Sequence, residues 1–126
     1  MAGNNGRLHD KIVIVTGGAR GIGAAFSKAV SAQGAIVAIA DLLDGAPVAA
    51  EIEAAGGRAL YCRVDVSNED SVKAFVADLF ARYGRIDGLV NNAAVFANLK
   101  PKPFFEIDQD EFDKVMAVNV RGPFLL

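Results

Sequence analysis

The sequence predicts an α/β domain built on a doubly wound parallel sheet, and three observations support this prediction. Short β-branched or apolar runs alternate with segments of helical periodicity along the 126-residue chain. Glycines stand where one pattern changes to the other, and polar or glycine residues follow each predicted strand. Because such alternation gives right-handed crossovers, we expect an incomplete sheet whose first four strands lie in the order 3-2-1-4.

The first predicted strand, Ile12 to Val15, is a run of four β-branched residues, as expected for a strand buried on both faces. Three glycines follow in the spacing Gly-x-x-x-Gly-x-Gly, namely Gly17, Gly21 and Gly23. A helix then extends to Gln33, with an apolar stripe of Ile22, Ala25, Phe26, Ala29 and Val30. A glycine-rich helix start suits an anion such as pyrophosphate, whereas the alternative is an ordinary strand-to-helix connection.

The remaining elements repeat the same alternation. Strands are predicted at Ala35 to Ala40, Arg58 to Val64 and Ile86 to Asn91. Helices are predicted at Gly45 to Ala55, from a Ser67 cap to Gly84, and from Asp108 onward, where Glu111 completes a capping pattern. We expect a mobile N-terminal tail over residues 1–10 and a partial domain over residues 11–126.

Composition excludes several classes of function. The net charge of -2 gives no basic field for nucleic acid. Cys62 is the only cysteine, which excludes an internal disulfide and a cysteine-cluster zinc site and fits a reducing compartment. The sequence has no signal-peptide pattern and no apolar run long enough to cross a membrane. We therefore expect a cytoplasmic protein with no membrane association, no nucleic-acid partner and no metal site.

Asp41 follows the second predicted strand, roughly 20 residues after the glycine loop, which is the usual distance for a carboxylate that accepts adenosine ribose hydroxyls. A solvated loop aspartate is the alternative. Near a 2′-phosphate the carboxylate would be repelled by about 4 kcal/mol per charge pair at roughly 4 Å and an effective dielectric near 20. Arg20 in the glycine loop favours the opposite choice, since it could receive that phosphate. We expect NAD rather than NADP.

Asn119 falls on the apolar stripe of the last predicted helix. A buried amide must find hydrogen-bond partners or cost a few kcal/mol. It is therefore a candidate functional residue, and a structural amide bonded to neighbouring backbone is the alternative.

Four motifs in order resemble those of the short-chain dehydrogenase/reductase family, whose cofactor domain is Rossmann-like. They are Thr16-Gly17-x-x-x-Gly21-Ile22-Gly23, Asp65-Val66, Asn91-Asn92-Ala93-Ala94 and Asn119-Val120. The resemblance implies that the glycine loop, with Gly17, Gly21, Ile22 and Gly23, holds the pyrophosphate and that Asp41 binds the ribose. It implies that Asp65 and Val66 hold the adenine edge and that Asn92, Ala93 and Ala94 lie along the cofactor. Ala94 departs from the family pattern, which usually has glycine there.

The family's active site is an Asn-Ser-Tyr-Lys tetrad, and the resemblance gives a counterpart only to its asparagine, Asn119. Neither Tyr61 nor Tyr83 forms Tyr-x-x-x-Lys, and both precede Asn119. We therefore predict the cofactor-binding part of an NAD-dependent oxidoreductase that exchanges hydride between a secondary alcohol and a ketone, with the present chain inactive alone. The resemblance also implies a homo-oligomer, either a dimer or a tetramer.

Three other functions remain open. The chain could be a non-catalytic module that senses NAD, or a nonfunctional truncation. A nucleotide-dependent methyltransferase also places an acid after its second strand, but it would leave Asn91 and Asn92 unexplained.

Overall fold

The computed structural model describes residues 6–126 and contains one four-stranded parallel sheet. The strands are β1 (Ile12–Thr16), β2 (Ile36–Asp41), β3 (Arg58–Arg63) and β4 (Gly88–Val90). Their order across the sheet is β3-β2-β1-β4, and all three pairings are parallel. The predicted doubly wound α/β fold with strand order 3-2-1-4 is confirmed.

Helices connect the strands and extend beyond the last one. They are α1 (Gly21–Ala32), α2 (Ala46–Ala54), α3 (Glu69–Tyr83), α4 (Gln109–Met116) and α5 (Gly122–Leu125). A 3-10 turn, Phe104–Glu106, lies in the loop after β4, and a π-helical turn, Ala117–Arg121, joins α4 to α5. None of the helices within residues 6–126 combines the length and apolarity needed to cross a membrane.

The sheet is covered on both faces because its central strands alternate apolar side chains between two core clusters. Val13 and Val15 of β1 belong to one cluster with Val48 and Ile52 of α2. Ile14, between them, belongs to the other cluster with residues of α3 and the last helices, including Val72, Phe75, Leu79, Val118 and Leu125. This alternation is the expected consequence of the two-residue period of a strand.

The buried face of α1 differs from the predicted one. Its buried residues are Gly23, Ser27 and Ser31, while Ile22 is 70% exposed and Phe26 is 42% exposed. The predicted apolar stripe was therefore wrong at its exposed members, Ile22, Ala25, Phe26 and Ala29, whereas Val30 packs against the core as predicted. Small residues face the sheet because the helix start lies very close to the strand ends, and the Ser27 hydroxyl is satisfied by donating to the Gly23 carbonyl at 3.0 Å.

The chain before β1 is anchored to the turn that follows α1. The Leu8 N–H donates to the Gln33 carbonyl at 2.9 Å, and the Asp10 N–H donates to the Gly34 carbonyl at 3.1 Å. Residues 1–5 of the predicted tail lie outside the described residues. The packed part of the domain thus begins before residue 11.

Strand β4 is shorter than the predicted strand from Ile86 to Asn91. Only residues 88–90 pair with β1. At the carboxyl end, the backbone N–H groups of Asn92 and Ala93 donate to the Thr16 hydroxyl instead of continuing the ladder. The strand therefore ends where a side chain takes over its hydrogen bonds.

Candidate functional site

The loop between β1 and α1 has a backbone that glycine permits and larger residues would not. Gly17 has φ +65, in the left-handed region, and its N–H donates to the Ala40 carbonyl at 2.8 Å. A Cβ on Gly23 would lie 1.9 Å from the Gly17 carbonyl oxygen and 2.6 Å from Asn92 Nδ2. The start of α1 therefore approaches β1 and the loop after β4 more closely than a side chain allows.

The N-terminus of α1 differs from those of α3 and α4. Its cap residue, Arg20, makes no side-chain cap hydrogen bond within the described chain, and its first turn contains no acidic residue. In contrast, the Asn68 side chain accepts from Ser71 N–H at the start of α3, and Asp108 accepts from Glu111 N–H at the start of α4. Backbone N–H groups at the start of α1 are thus left for another acceptor.

Asp41 lies at the end of β2 and contacts the glycine loop directly. Its Oδ2 accepts from the Ala19 N–H at 3.0 Å, and its Oδ1 accepts from the Leu43 N–H at 3.0 Å. The Tyr61 hydroxyl donates to the Asp41 carbonyl at 3.3 Å. The structure thus brings Asp41 and the loop containing Arg20 together at one edge of the sheet.

Thr16 joins the carboxyl ends of β1 and β4. Its buried hydroxyl accepts from Asn92 N–H and Ala93 N–H, each at 3.0 Å, and donates to the Val90 carbonyl at 3.4 Å. Asn92 Nδ2 then donates to the Gly17 carbonyl at 3.2 Å. Asn92 and Ala93 therefore lie beside the glycine loop, whereas Ala94, the next residue, is exposed.

The backbone N–H of Asp65 donates to the Ser71 hydroxyl of α3 at 3.0 Å, whereas the Asp65 carboxylate bonds only within its own loop among the described residues. Its Oδ1 accepts from the backbone N–H of Ser67 and, at 2.6 Å, from the Ser67 hydroxyl. The predicted Ser67 cap of α3 was wrong: Asn68 caps that helix, because the Ser67 hydroxyl is already bonded to Asp65. Val66 is buried and packs against Gly122 of α5.

Asn119 lies in the π-helical turn and is bonded to the backbone of Val95. Val95 N–H donates to Asn119 Oδ1 at 2.7 Å, and Asn119 Nδ2 donates to the Val95 carbonyl at 3.1 Å. These contacts match the structural alternative considered for this amide. The inserted residue of a π turn often marks a functional position in a helix.

Sequence reasoning missed the role of two residues. Thr16 was part of a motif, but the three hydrogen bonds of its hydroxyl were not foreseen; the signal was a hydroxyl directly after four β-branched residues. Arg121 donates to the Ser67 carbonyl at 3.2 Å and links the π-helical turn to the loop after β3. No sequence pattern indicated that contact.

Two titratable groups near the sheet have raised pKa values. Burial, followed by the charges of Asp44 and Asp41, raises the pKa of the Tyr61 phenol above its usual range. Burial likewise raises the pKa of the Cys62 thiol. Neither group is therefore activated for acid–base or nucleophilic chemistry, and within residues 6–126 no group of acidic, cysteine or histidine side chains has the arrangement of a metal site.

Comparison with known sequences finds one matching family. The sequence model described as short chain dehydrogenase matches residues 11–126. The 2,5-dichloro-2,5-cyclohexadiene-1,4-diol dehydrogenase of Sphingobium indicum is 44% identical over 119 residues, which cover 94% of this chain and 46% of that protein. The cyclopentanol dehydrogenase of Comamonas testosteroni is 38% identical over 122 residues, covering 95% and 48%. The chain thus spans about half the length of the curated relatives it matches.

Solved structures agree with this match. A metagenomic short-chain oxidoreductase in complex with NADP has a TM-score of 0.87 and 37% identity, covering 94% of this chain and 54% of that one. A citronellol catabolism dehydrogenase of Pseudomonas aeruginosa has a TM-score of 0.86 and 35% identity, covering 95% and 49%.

Proposed function

The chain belongs to the short-chain dehydrogenase family, and we propose that it forms the dinucleotide-binding part of an NAD-dependent oxidoreductase. The proposed reaction transfers a hydride between the nicotinamide and a small secondary alcohol or ketone. The similar proteins named above are dehydrogenases of a cyclic diol and of cyclopentanol, which supports this class of substrate.

The start of α1 is the observation that carries the proposal. This helix begins without a side-chain cap among the described residues, at the carboxyl ends of the central strands. The end of β2 and the loop after β4 contact the glycine loop that leads into this helix, through Asp41 and Asn92. In a doubly wound sheet such a crevice, where the winding reverses between β1 and β4, is where a dinucleotide binds.

The residues around this crevice fit a dinucleotide. Backbone N–H groups from Gly21 to Gly23 would hold the pyrophosphate, and the guanidinium of Arg20 and the exposed side chain of Ile22 flank the same turn. Gly17 and Gly23 keep the loop close to β1. Asp65 and Val66 would line the adenine end, and Asn92, Ala93 and Ala94 would lie along the cofactor. When bound, the nicotinamide would accept the hydride from an alcohol or donate it to a ketone.

The choice of NAD over NADP rests on Asp41. Its two oxygens each accept one backbone N–H, and a carboxylate oxygen has a second lone pair that suits a ribose hydroxyl. A 2′-phosphate at the same place would meet the negative charge instead. Arg20 is exposed and opposes this preference, and a similar solved structure holds NADP. The proposal is therefore that the Asp41 charge outweighs Arg20.

In the whole protein, Asn119 is proposed to support the active site, and the 126-residue chain is proposed to lack turnover. No Tyr-x-x-x-Lys occurs in these residues. Burial raises the pKa of the Tyr61 phenol, and its hydroxyl donates to the Asp41 carbonyl, so Tyr61 is engaged within the fold. A non-catalytic module that binds NAD is the second candidate function.

Assembly into a dimer or tetramer and a cytoplasmic location belong to the same proposal. Assembly is supported by a row of exposed apolar side chains along the last helices. The row consists of Phe112, Met116, Val120 and Phe124. Exposed apolar area of this kind commonly marks a protein interface.

Titration with NAD and NADP tests the proposal. We expect the 126-residue chain to bind NAD more tightly than NADP and Asp41→Ser to narrow or reverse the ratio of the two affinities. A wild type that prefers NADP would contradict the cofactor assignment. The change in nicotinamide absorbance with a panel of secondary alcohols and ketones then separates the two functions. A protein that extends to the full length of the relatives should turn these substrates over only if the enzyme proposal is correct.

A further inference from the structure

The carboxylate of Asp41 is bonded to the glycine loop between β1 and α1. Oδ2 accepts from the N–H of Ala19, 22 residues earlier in the chain, and this contact is partly buried. Oδ1 accepts from Leu43 N–H and fixes the carboxylate on its own strand. Asp41 therefore ties the middle of the glycine loop to the end of β2.

A second side chain ties the same loop from the opposite side. Asn92 Nδ2 donates to the Gly17 carbonyl at 3.2 Å, and Asn92 follows β4. In the stretch that the structure describes, Asp41 and Asn92 are the side chains bonded to the backbone of residues 17–20. Because β2 and β4 flank β1, the loop is held across both of its neighbours.

We infer that Asp41 is a positioning residue of the phosphate-binding loop, in addition to its proposed contact with the ribose. Hydrogen bonds to an ionised carboxylate are stronger than those between neutral groups. By holding Ala19, Asp41 keeps the loop in the conformation that aims the first N–H groups of α1 at one point. The part of this inference that concerns a ligand rests on the proposed function, whereas the order of the free loop does not.

The consequence is that Asp41 contributes to binding of ligands that have no ribose. A loop that occupies the binding conformation only part of the time weakens apparent affinity by that fraction. If losing the Ala19 contact lowers the fraction of molecules with the loop in its binding conformation to about one tenth, the apparent affinity for a ligand of the loop falls about tenfold. Inorganic pyrophosphate is the suitable probe, because it can reach the loop but offers nothing to the ribose contact.

Three variants separate positioning from charge. Asp41→Glu keeps the charge but displaces the carboxylate by one methylene, and Asp41→Asn removes the charge. Asp44→Asn is the matched control: it removes an equal charge three residues away, where the carboxylate accepts only from Ala46 N–H among the described residues. Each protein is measured for hydrogen exchange at the Ala19 amide without ligand and for affinity toward pyrophosphate and NAD.

We expect exchange at Ala19 to rise at least about tenfold in Asp41→Glu and Asp41→Asn but not in Asp44→Asn. Pyrophosphate affinity should fall about tenfold in Asp41→Glu, in which charge repulsion is unchanged. Unchanged exchange and pyrophosphate affinity, with weaker NAD binding alone, would overturn the inference and leave Asp41 a ribose contact only. If the wild type binds neither NAD nor pyrophosphate, the proposed function fails, while exchange at Ala19 still decides whether Asp41 orders the loop.

Discussion

Asn119 and Val95 are joined by two hydrogen bonds, one in each direction. The Val95 N–H donates to Asn119 Oδ1 at 2.7 Å, and Asn119 Nδ2 donates to the Val95 carbonyl at 3.1 Å. A side-chain amide thus pairs with backbone as a neighbouring strand would. The loop after β4 is thereby fixed to the π-helical turn between α4 and α5.

Replacing Asn119 with Ala should release this loop. Val95 would lose both partners, and one partly buried group left without a partner costs about 1–3 kcal/mol. Hydrogen exchange at Val95 and the free energy of unfolding in urea measure the two effects. Asn98→Ala, an exposed amide in the same loop, is the control. Equal behaviour of the two variants would show that the pairing does not stabilise the loop.

Gly23→Ala should weaken both folding and dinucleotide binding. The added Cβ would lie 1.9 Å from the Gly17 carbonyl oxygen, so helix and loop must move apart. Overpacking of this kind costs about 1–3 kcal/mol. The measurements are thermal unfolding and titration with NAD.

Gly56→Ala is the matched control for Gly23→Ala. Gly56 has φ +87, and a Cβ there meets no described atom within 4 Å. It should cost about 1–2 kcal/mol through backbone strain alone and leave the NAD affinity unchanged. If Gly23→Ala also leaves NAD affinity unchanged, the close approach at Gly17 is irrelevant to the site.

The strand order and the residue types at the strand ends could be predicted from the sequence, because both follow from local patterns. Apolar runs such as Ile12 to Val15 and the turns after them determine which elements form. Cap chemistry at Asp108 was also local, and its carboxylate accepts from Glu111 N–H as predicted. The second contact of a capping box, from the Asp108 backbone N–H to the Glu111 carboxylate, does not form. The Glu111 carboxylate instead accepts from Lys102 Nζ at 2.7 Å.

The contacts of the site could not be predicted in the same way, because they join residues far apart in sequence. Asp41 with Ala19, Thr16 with Asn92, and Asn119 with Val95 are separated by 22, 76 and 24 residues. The prediction of which face of α1 is buried failed for a different reason. Hydropathy ranks Ile22 above Gly23, but at this helix start closeness to the sheet matters more than apolarity.

Thr16→Val should destabilise the junction of β1 and β4. Valine has the same shape but no hydroxyl, so the Ala93 N–H would lose its acceptor, whereas the Asn92 N–H would keep its bond to the Val90 carbonyl at 3.0 Å. The expected cost is about 1–3 kcal/mol for the Ala93 N–H left without a partner. Thr16→Ser retains the hydroxyl and is the control. Urea unfolding would contradict this expectation if both variants had the same midpoint.

The carboxylate of Asp87 makes stability depend on acid pH. The hydrogen bond from Arg85, with a further one from Ile12 N–H, holds the pKa of Asp87 below its ordinary value of 3.8. Its contribution is complete above the unfolded-state pKa and is lost as the pH falls through the lower folded-state value.

Asp87→Asn should therefore lose less stability on acidification than the wild type. Urea unfolding from neutral pH down to about pH 3 measures the difference. Asp113→Asn, at an exposed position of α4, is the control for removing one charge. Parallel curves for the wild type and Asp87→Asn would show that this carboxylate does not link folding to pH.

The open side of β4 should cause the 126-residue chain to associate with itself. Within the described residues β4 pairs only with β1, and Leu89 at its centre is 38% exposed. An apolar edge strand with free N–H and C=O groups is a template for another chain. The exposed side chains of Phe112, Met116, Val120 and Phe124 add further apolar area to the chain's surface.

Leu89→Lys should reduce this association, because a charge on an edge strand opposes pairing with a second copy. Leu43→Lys is the matched control: Leu43 is 46% exposed and follows β2, away from the sheet edge. Sedimentation velocity at micromolar concentration should show the wild type and Leu43→Lys as larger species and Leu89→Lys as smaller ones. A wild-type monomer whose β4 amides are strongly protected from exchange would refute the argument, because pairing with β1 alone would then be enough to hold β4 in place, and it would favour the free-standing NAD-binding module.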